Sequence, residues 1–178
     1  VTLRIASKSV RHPGIMRHIL AQGGARFAGL MTFSAHEAAF LHSQGFDDFL
    51  MGYPVGRRDE ALALARVASE GASVTATIDA VDQARLLDAA AAELGTSLSL
   101  CLDVDASWRP LGQGAHLGVR RSPVRSVQDA LAVARAVRDL PHVRLEAVLC
   151  YEAQIAGIRD HNPSSALRSS GSMPGSKR

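Results

Sequence analysis

The sequence predicts an α/β fold on a parallel sheet, in the form of a partial (β/α)8 TIM barrel. Three observations predict it. Short apolar runs of strand length alternate with longer stretches of helical period along most of the 178 residues. The strand runs are apolar nearly throughout, as expected of strands covered on both faces. Polar residues collect where the strands end, at Ser7-Lys8, Thr32, Tyr53, Asp79, Asp103 and Asp105, Arg120-Arg121, and from Tyr151 to Gln154. Repeated strand–helix alternation means a parallel sheet, either open and doubly wound or closed as a barrel. No Gly-x-Gly-x-x-Gly follows the first strand, which weakens a dinucleotide-binding sheet. Barrels build their sites at the C-terminal ends of their strands, which favours the barrel.

The elements follow in order. A strand over 3–7 leads to a helix over 13–22, with Pro13 at a first-turn position and Gly23-Gly24 after the last turn. After a strand at 27–32, Ser34 and Glu37 form a capping box for a helix over 35–44, which Gly45 stops. A strand at 48–53 and a helix over 58–70 end at Gly71. A strand at 73–78 leads through an Asp79 N-cap into a helix over 80–94, stopped by Gly95. A strand at 98–103 is followed by a loop over 104–115 with Trp108 and Pro110, then a short strand at 116–119. Ser126 caps a helix over 126–138, and a strand at 143–150 completes the series. Seven strands are one short of a closed barrel, so the sequence reads as most of a barrel, truncated after strand seven.

Composition bounds the function. Apolar residues make up 47% of the chain, enough for a substantial core in one domain over 1–162. From 161 the text turns rich in Ser, Gly and Pro, and 163–178 is expected to be a disordered tail. The net charge of +3 is modest, and arginines alternate with acids, as in Arg57-Arg58-Asp59-Glu60; this suits a solvated face and no nucleic-acid partner. Cys101 and Cys150 both sit in apolar runs and are expected to be buried strand thiols, not a disulfide or metal pair. No apolar run has the length of a bilayer span, and no signal peptide is visible. No membrane partner and a cytoplasmic setting are expected.

Lys8 is the most informative residue. The chain has two lysines, and the other, Lys177, falls in the tail. A desolvated lysine amine can lose its proton and attack a carbonyl, which a guanidinium cannot do. At the end of strand one it would project into the barrel mouth, beside Ser7, Ser9 and Arg11, whose donors suit an anion. A solvated loop lysine is the plain alternative. Asp103 and Asp105 share one face of a strand end and could orient an amine, bind a cation or cap a loop. Of the adjacent Arg120 and Arg121, at most one can point inward, where it could grip a carboxylate. Tyr53 and Tyr151 could stack on a ring, hydrogen-bond to it or fill the top of the barrel. No Ser-His-Asp spacing, P-loop or paired-His metal motif is present.

Several segments together resemble fold-type III pyridoxal-phosphate enzymes. They are Arg4-Ile5-Ala6-Ser7-Lys8-Ser9-Val10-Arg11, Leu30-Met31-Thr32-Phe33, the stretch from Gly45 to Met51, Tyr53-Pro54, His116-Leu117-Gly118-Val119-Arg120 and Tyr151-Glu152-Ala153-Gln154. The branch they resemble is the D-threonine aldolase and D-serine deaminase-like one, the amino acid deaminase/aldolases, which shares the alanine racemase N-terminal barrel. The resemblance runs from Val1 to about Asn162. It implies pyridoxal 5'-phosphate as cofactor, with Lys8 matching the lysine that carries it as an internal aldimine. It implies a cofactor site walled by Tyr53, His116, Arg120, Tyr151 and Gln154. It implies a small-molecule D-amino acid substrate, cleaved as a lyase by deamination or a retro-aldol split. Family members also carry a segment before the lysine strand and a β-rich domain after the barrel. Their metal ligands, where used, lie in that domain, so no metal site is expected here, and a homodimer stays open. Some relatives have a histidine where this chain has Gln154. A non-catalytic barrel that holds the cofactor for homeostasis, and an inactive truncated fragment, are the alternative readings.

Overall fold

Six strands form a single all-parallel sheet in the order β1-β2-β3-β4-β5-β6. They are β1 (Leu3–Ala6), β2 (Phe27–Thr32), β3 (Asp48–Pro54), β4 (Ser73–Ile78), β5 (Leu98–Asp105) and β6 (Val143–Tyr151). Strand order equals chain order, so the sheet has no switch point of the doubly wound kind and winds in one direction, as a barrel does. The computed structural model describes residues 1–109 and 118–151. It divides into a unit of Val1–Ala106 with Arg120–Tyr151, and a second of Ser107–Val119 with Glu152–Arg178. In the described part of the second unit, Arg109 donates to Ser107 Oγ at 3.4 Å.

Helices α2 (Pro13–Gly23), α3 (Ala35–Ser43), α4 (Arg58–Ser69), α5 (Val81–Glu93) and α6 (Val127–Arg138) connect the strands. Local chemistry sets their ends. Pro13 occupies the first turn of α2. Ser34 Oγ accepts from the Glu37 amide, while the Glu37 carboxylate reaches back to the Phe33 amide. Ser126 and Asp129 form the reciprocal box at α6. Gly45, Gly71 and Gly95 follow α3, α4 and α5 with φ of +88°, +99° and +62°, a region that favours glycine. At α5 the expected Asp79 cap is displaced by one residue. Ala80 is the N-cap, and the Gln83 side chain accepts from the Asp79 and Ala80 amides.

The register sorts the strand residues into two faces. Phe49, Val74 and Leu98 form one buried row, and Ala76 beside Leu100 forms the next. They pack under Ala35, Ala38, Leu41, Ala61, Leu64, Ala84 and Leu87 of the helices in one apolar cluster. Small alanines let the helices approach the sheet closely. Each large side chain buried here is worth about 1.5–3 kcal/mol relative to exposure. The opposite, inner face carries Met31, Leu50, Thr75 and Ser99, which are only partly buried.

Six strands occur among the described residues, in keeping with a partial barrel of about seven, and two expectations need correction. Gly118 and Val119 lie outside any strand, with Gly118 at φ +111°, which is not extended backbone, and residues 116–117 lie outside the described residues. β5 runs two residues further than the expected loop start, because Val104 and Asp105 continue the ladder with Cys150 and Tyr151. Cys101 is buried as expected, but Cys150 is exposed. It sits on β6, an edge of the described sheet, where Val148 is exposed too. The expected tail, 163–178, lies outside the described residues.

Candidate active site

The chain turns sharply at the end of β1. Ser7–Val10 forms a four-residue helix, α1, so Lys8 stands in a helical turn just beyond the strand rather than on it. Two bonds fix this turn. The buried Ser7 donates through Oγ to the Met31 carbonyl of β2 at 3.1 Å. Arg11 closes α1 at φ +50°, the only non-glycine residue at positive φ in the described backbone, and its Nε donates to the Lys8 carbonyl at 2.8 Å. The donors expected to suit an anion thus serve, in Ser7 and Arg11, to hold the backbone around Lys8.

Lys8 lines a cavity of about 210 Å3 at the C-terminal ends of the strands, together with Ala6, Met31, Thr32, Phe33, Gly52, Tyr53, Arg121, Leu149 and Tyr151. Residues of β1 and β6 share this cavity although no ladder joins those strands, so the sheet curls toward itself. The chain has only two tyrosines, and both are here. The Lys8 amine stands 5.6 Å from the Tyr53 ring centroid, and Phe33 meets the same ring edge-on at 5.2 Å. A larger cavity of about 490 Å3 adjoins this one, sharing Lys8 and Phe33 and lined also by Ser9, Arg11, Ser34 and Glu37, while one of about 590 Å3 lies away from Lys8, around Val137 and Val143.

Arg121 organises the wall. Its Nε donates to Asp103 Oδ2 at 2.7 Å and its Nη2 donates to the Gly52 carbonyl. Its guanidinium lies 5.0 Å from the Tyr53 centroid and 5.5 Å from the Tyr151 centroid, at cation–π range. Gly52 lies close against β2: a Cβ there would stand 3.2 Å from the Thr32 carbonyl oxygen. Asp103 is wholly buried, and its Oδ1 has no hydrogen-bond partner among the described residues. Burial pushes its carboxyl above the ordinary range, against the downward pull of Arg121, with Asp79 and Asp105 adding to the upward push. Burial also pushes the Cys101 thiol up to about 11, helped by the Asp103 charge, so it stays protonated near neutrality. Asp105 takes its own cation, Arg125, at 3.5 Å. The two carboxylates of this strand end are therefore each engaged by an arginine.

Of the site residues read from the sequence, the structure brings Lys8, Tyr53 and Tyr151 together. Arg120 is exposed and does not line this cavity. His116 and Gln154 lie outside the described residues. Arg121 and Asp103 are the part sequence reasoning did not assign. One signal was available: a carboxylate inside an apolar strand needs a cation or donors once buried. Among the described residues, no group of three or more His, Cys, Asp or Glu could hold a metal, and no helix is long and apolar enough to cross a membrane.

A singly wound parallel sheet with a cavity at the C-terminal ends of its strands defines the class: a barrel-type α/β protein. The chain belongs to the family described as alanine racemase, N-terminal domain, whose model matches residues 2–168. No curated protein matches the chain. Solved structures share the fold. D-threonine aldolase from Filomicrobium marinum superposes with a TM-score of 0.66 at 22% identity, over 83% of this chain and 36% of that one. D-threo-3-hydroxyaspartate dehydratase from Delftia sp. HT23 gives 0.64 at 21%, over 84% and 36%. Diaminopimelate decarboxylase from M. jannaschii gives 0.60 at 14%, over 84% and 34%. The chain thus spans about a third of the length of these structures. Fold-type III enzymes of the alanine racemase type use pyridoxal 5'-phosphate. The residues present fit its aldehyde and ring, with one amine, flat tyrosine walls and an apolar lining of Ala6, Met31 and Leu149. Apart from Lys8, Arg121 is the one cation of this cavity among the described residues, and Asp103 and Gly52 already engage it, so donors for the phosphate are not evident there.

Proposed function

We propose that the chain is the lysine-bearing part of a pyridoxal-phosphate-dependent lyase acting on a D-hydroxy amino acid, by deamination or retro-aldol cleavage. The observation that carries this reading is the Lys8 amine in the wall of the strand-end cavity, beside Tyr53. Two of the solved structures that share the fold, a D-threonine aldolase and a D-threo-3-hydroxyaspartate dehydratase, support the choice of substrate class. The cofactor supplies an aldehyde that captures amines and a ring that takes up the electron pair released at Cα.

The chain's own residues do the rest. With the cofactor bound, the Lys8 Nζ would hold its aldehyde, and the same amine, when free, could take up or return a proton of the substrate. The Arg11 bond to the Lys8 carbonyl and the Ser7 bond to Met31 hold the backbone from which that amine projects. Tyr53 and Tyr151 give flat walls on which a ring can lie, while Met31 and Leu149 exclude water. Arg121, committed to Asp103 and Gly52, shapes the wall rather than gripping a substrate carboxylate.

The test is borohydride trapping. The full chain is incubated with pyridoxal phosphate, reduced, digested and mapped by mass. Saturable label is expected on Lys8, with little on Lys177 or the amino terminus. Lys8→Ala is expected to abolish it and leave the far-ultraviolet spectrum unchanged. Label that persists in Lys8→Ala, or spreads evenly over all amines, overturns the assignment.

A further inference from the structure

We propose that Asp103 is a positioning residue for the cofactor site: it holds the Arg121 guanidinium between the Tyr53 and Tyr151 rings and so sets the aromatic wall beside Lys8. This rests on the cofactor reading above and deepens it. β4 and β5 separate β3 from β6 in the sheet, so no ladder joins the strands of the two tyrosines directly. One side chain reaches both rings. Arg121 lies over Tyr53 of β3 and Tyr151 of β6 while its hydrogen bonds to Asp103 and Gly52 run to β5 and β3. A guanidinium near two rings is held there by anchoring its N–H donors, and Asp103 Oδ2 at 2.7 Å is the charged anchor.

The energetics point the same way. A wholly buried carboxylate with one oxygen unsatisfied among the described residues is an expensive group to keep. An apolar residue here would leave the largely buried Arg121 without its charged anchor. The charged or titratable groups that act on it are Arg121, Asp79 and Asp105, and the Cys101 thiol responds to it in turn. Burial raises the carboxyl. The stability linked to its protonated form is therefore present at low pH and lost as pH rises through the raised value.

That gives the proposal a signature that a merely structural role lacks: the loss of binding should exceed what any loss of stability explains. In Asp103→Asn the Arg121 charge loses its partner and the urea midpoint at pH 7 is expected to fall, while in urea-free buffer, where the variant stays folded, half-saturation of the Lys8 label needs about tenfold more pyridoxal phosphate. Asp103→Glu should recover part of that loss. The Arg121 Nε–H resonance, read without cofactor, should be shifted and protected from exchange in the parent chain and lose both in Asp103→Asn. Labelling in Asp103→Asn that weakens only in proportion to the unfolded fraction would show a structural role and overturn the proposal, as would unchanged labelling. A parent chain that does not label Lys8 at all defeats the cofactor reading, and the Arg121 resonance then shows separately whether Asp103 positions the arginine.

Discussion

At the N-terminal end of the sheet, Arg4 meets Asp48 at 2.8 Å, with the two side chains 30% and 29% exposed. At the C-terminal end Arg121 meets Asp103 at 2.7 Å, with the arginine 16% exposed and the carboxylate fully buried. The pairs match in chemistry and nearly in length, and they differ in what water does to them. Arg4 and Asp48 keep much of their hydration, so their attraction is screened and nearly balanced by what it costs to order them. Asp103 has lost its hydration, and Arg121 only partly replaces it. An exposed pair that ties strand starts together is ordinary sheet dressing. A buried pair at the strand ends, between two tyrosines and next to the lone lysine of the described chain, is arranged for something other than stability.

The same substitution at both ends should separate them. Arg121→Met leaves Asp103 buried without its cation and is expected to cost about 3 kcal/mol at pH 8, read as the urea midpoint. The sign with pH follows from the carboxyl. Burial already raises it, and losing Arg121 removes the largest opposing influence, so it rises further in the variant. Protonation then relieves the buried charge as pH falls, and the deficit should shrink at pH 5. An equal deficit at both pH values would mean that Asp103 is not left ionised, and the contrast between the two ends would collapse to one of packing.

The contrast also shows which parts of the molecule the sequence makes legible. Helix ends were readable because they depend on residues a few positions apart: Pro13, Ser34 with Glu37, Ser126 with Asp129, and glycines at positive φ after α3, α4 and α5. Lys8 was readable as chemistry because lysine is otherwise nearly absent. The choice between Arg120 and Arg121 was not, since the direction a side chain takes beyond a strand follows from the turn between Gly118 and Arg125, which has no period. Nor was the exposure of Cys150, for an apolar run reads the same whether its strand is central or at an edge. The short helix at Lys8 left no trace in the text, because a single turn closed by Ser7 bonding to a neighbouring strand is a tertiary arrangement.

Gly29 tests the exposed end from below. It has φ +64°, and a Cβ there would collide with the Arg4 guanidinium and the Asp48 carboxylate. The ion pair between β1 and β3 therefore crosses β2 over a residue with no side chain. Gly29→Ala is expected to lower stability by about 1–2 kcal/mol through the left-handed backbone alone, with displacement of the pair adding little. If Gly29→Ala costs the same in an Arg4→Met background, the backbone carries the effect; a much smaller cost there would mean that crowding of the pair carries it.

Arg4→Met is the smallest expected effect and the most direct check on the exposed pair. Its side chain is part of an ion pair that water reaches from both partners, so removing the charge should shift stability by no more than about 1 kcal/mol. The Met stem keeps the apolar contacts of the arginine stem, which leaves charge as the variable. Raising salt to 1 M should erase most of the difference, since the screening length then falls to about 3 Å. The Arg121→Met deficit should survive the same salt, because ions do not enter the space around Asp103. A large, salt-insensitive loss on Arg4→Met would place a dry ion pair at the N-terminal end as well, and burial would no longer distinguish the end of the sheet that holds Lys8.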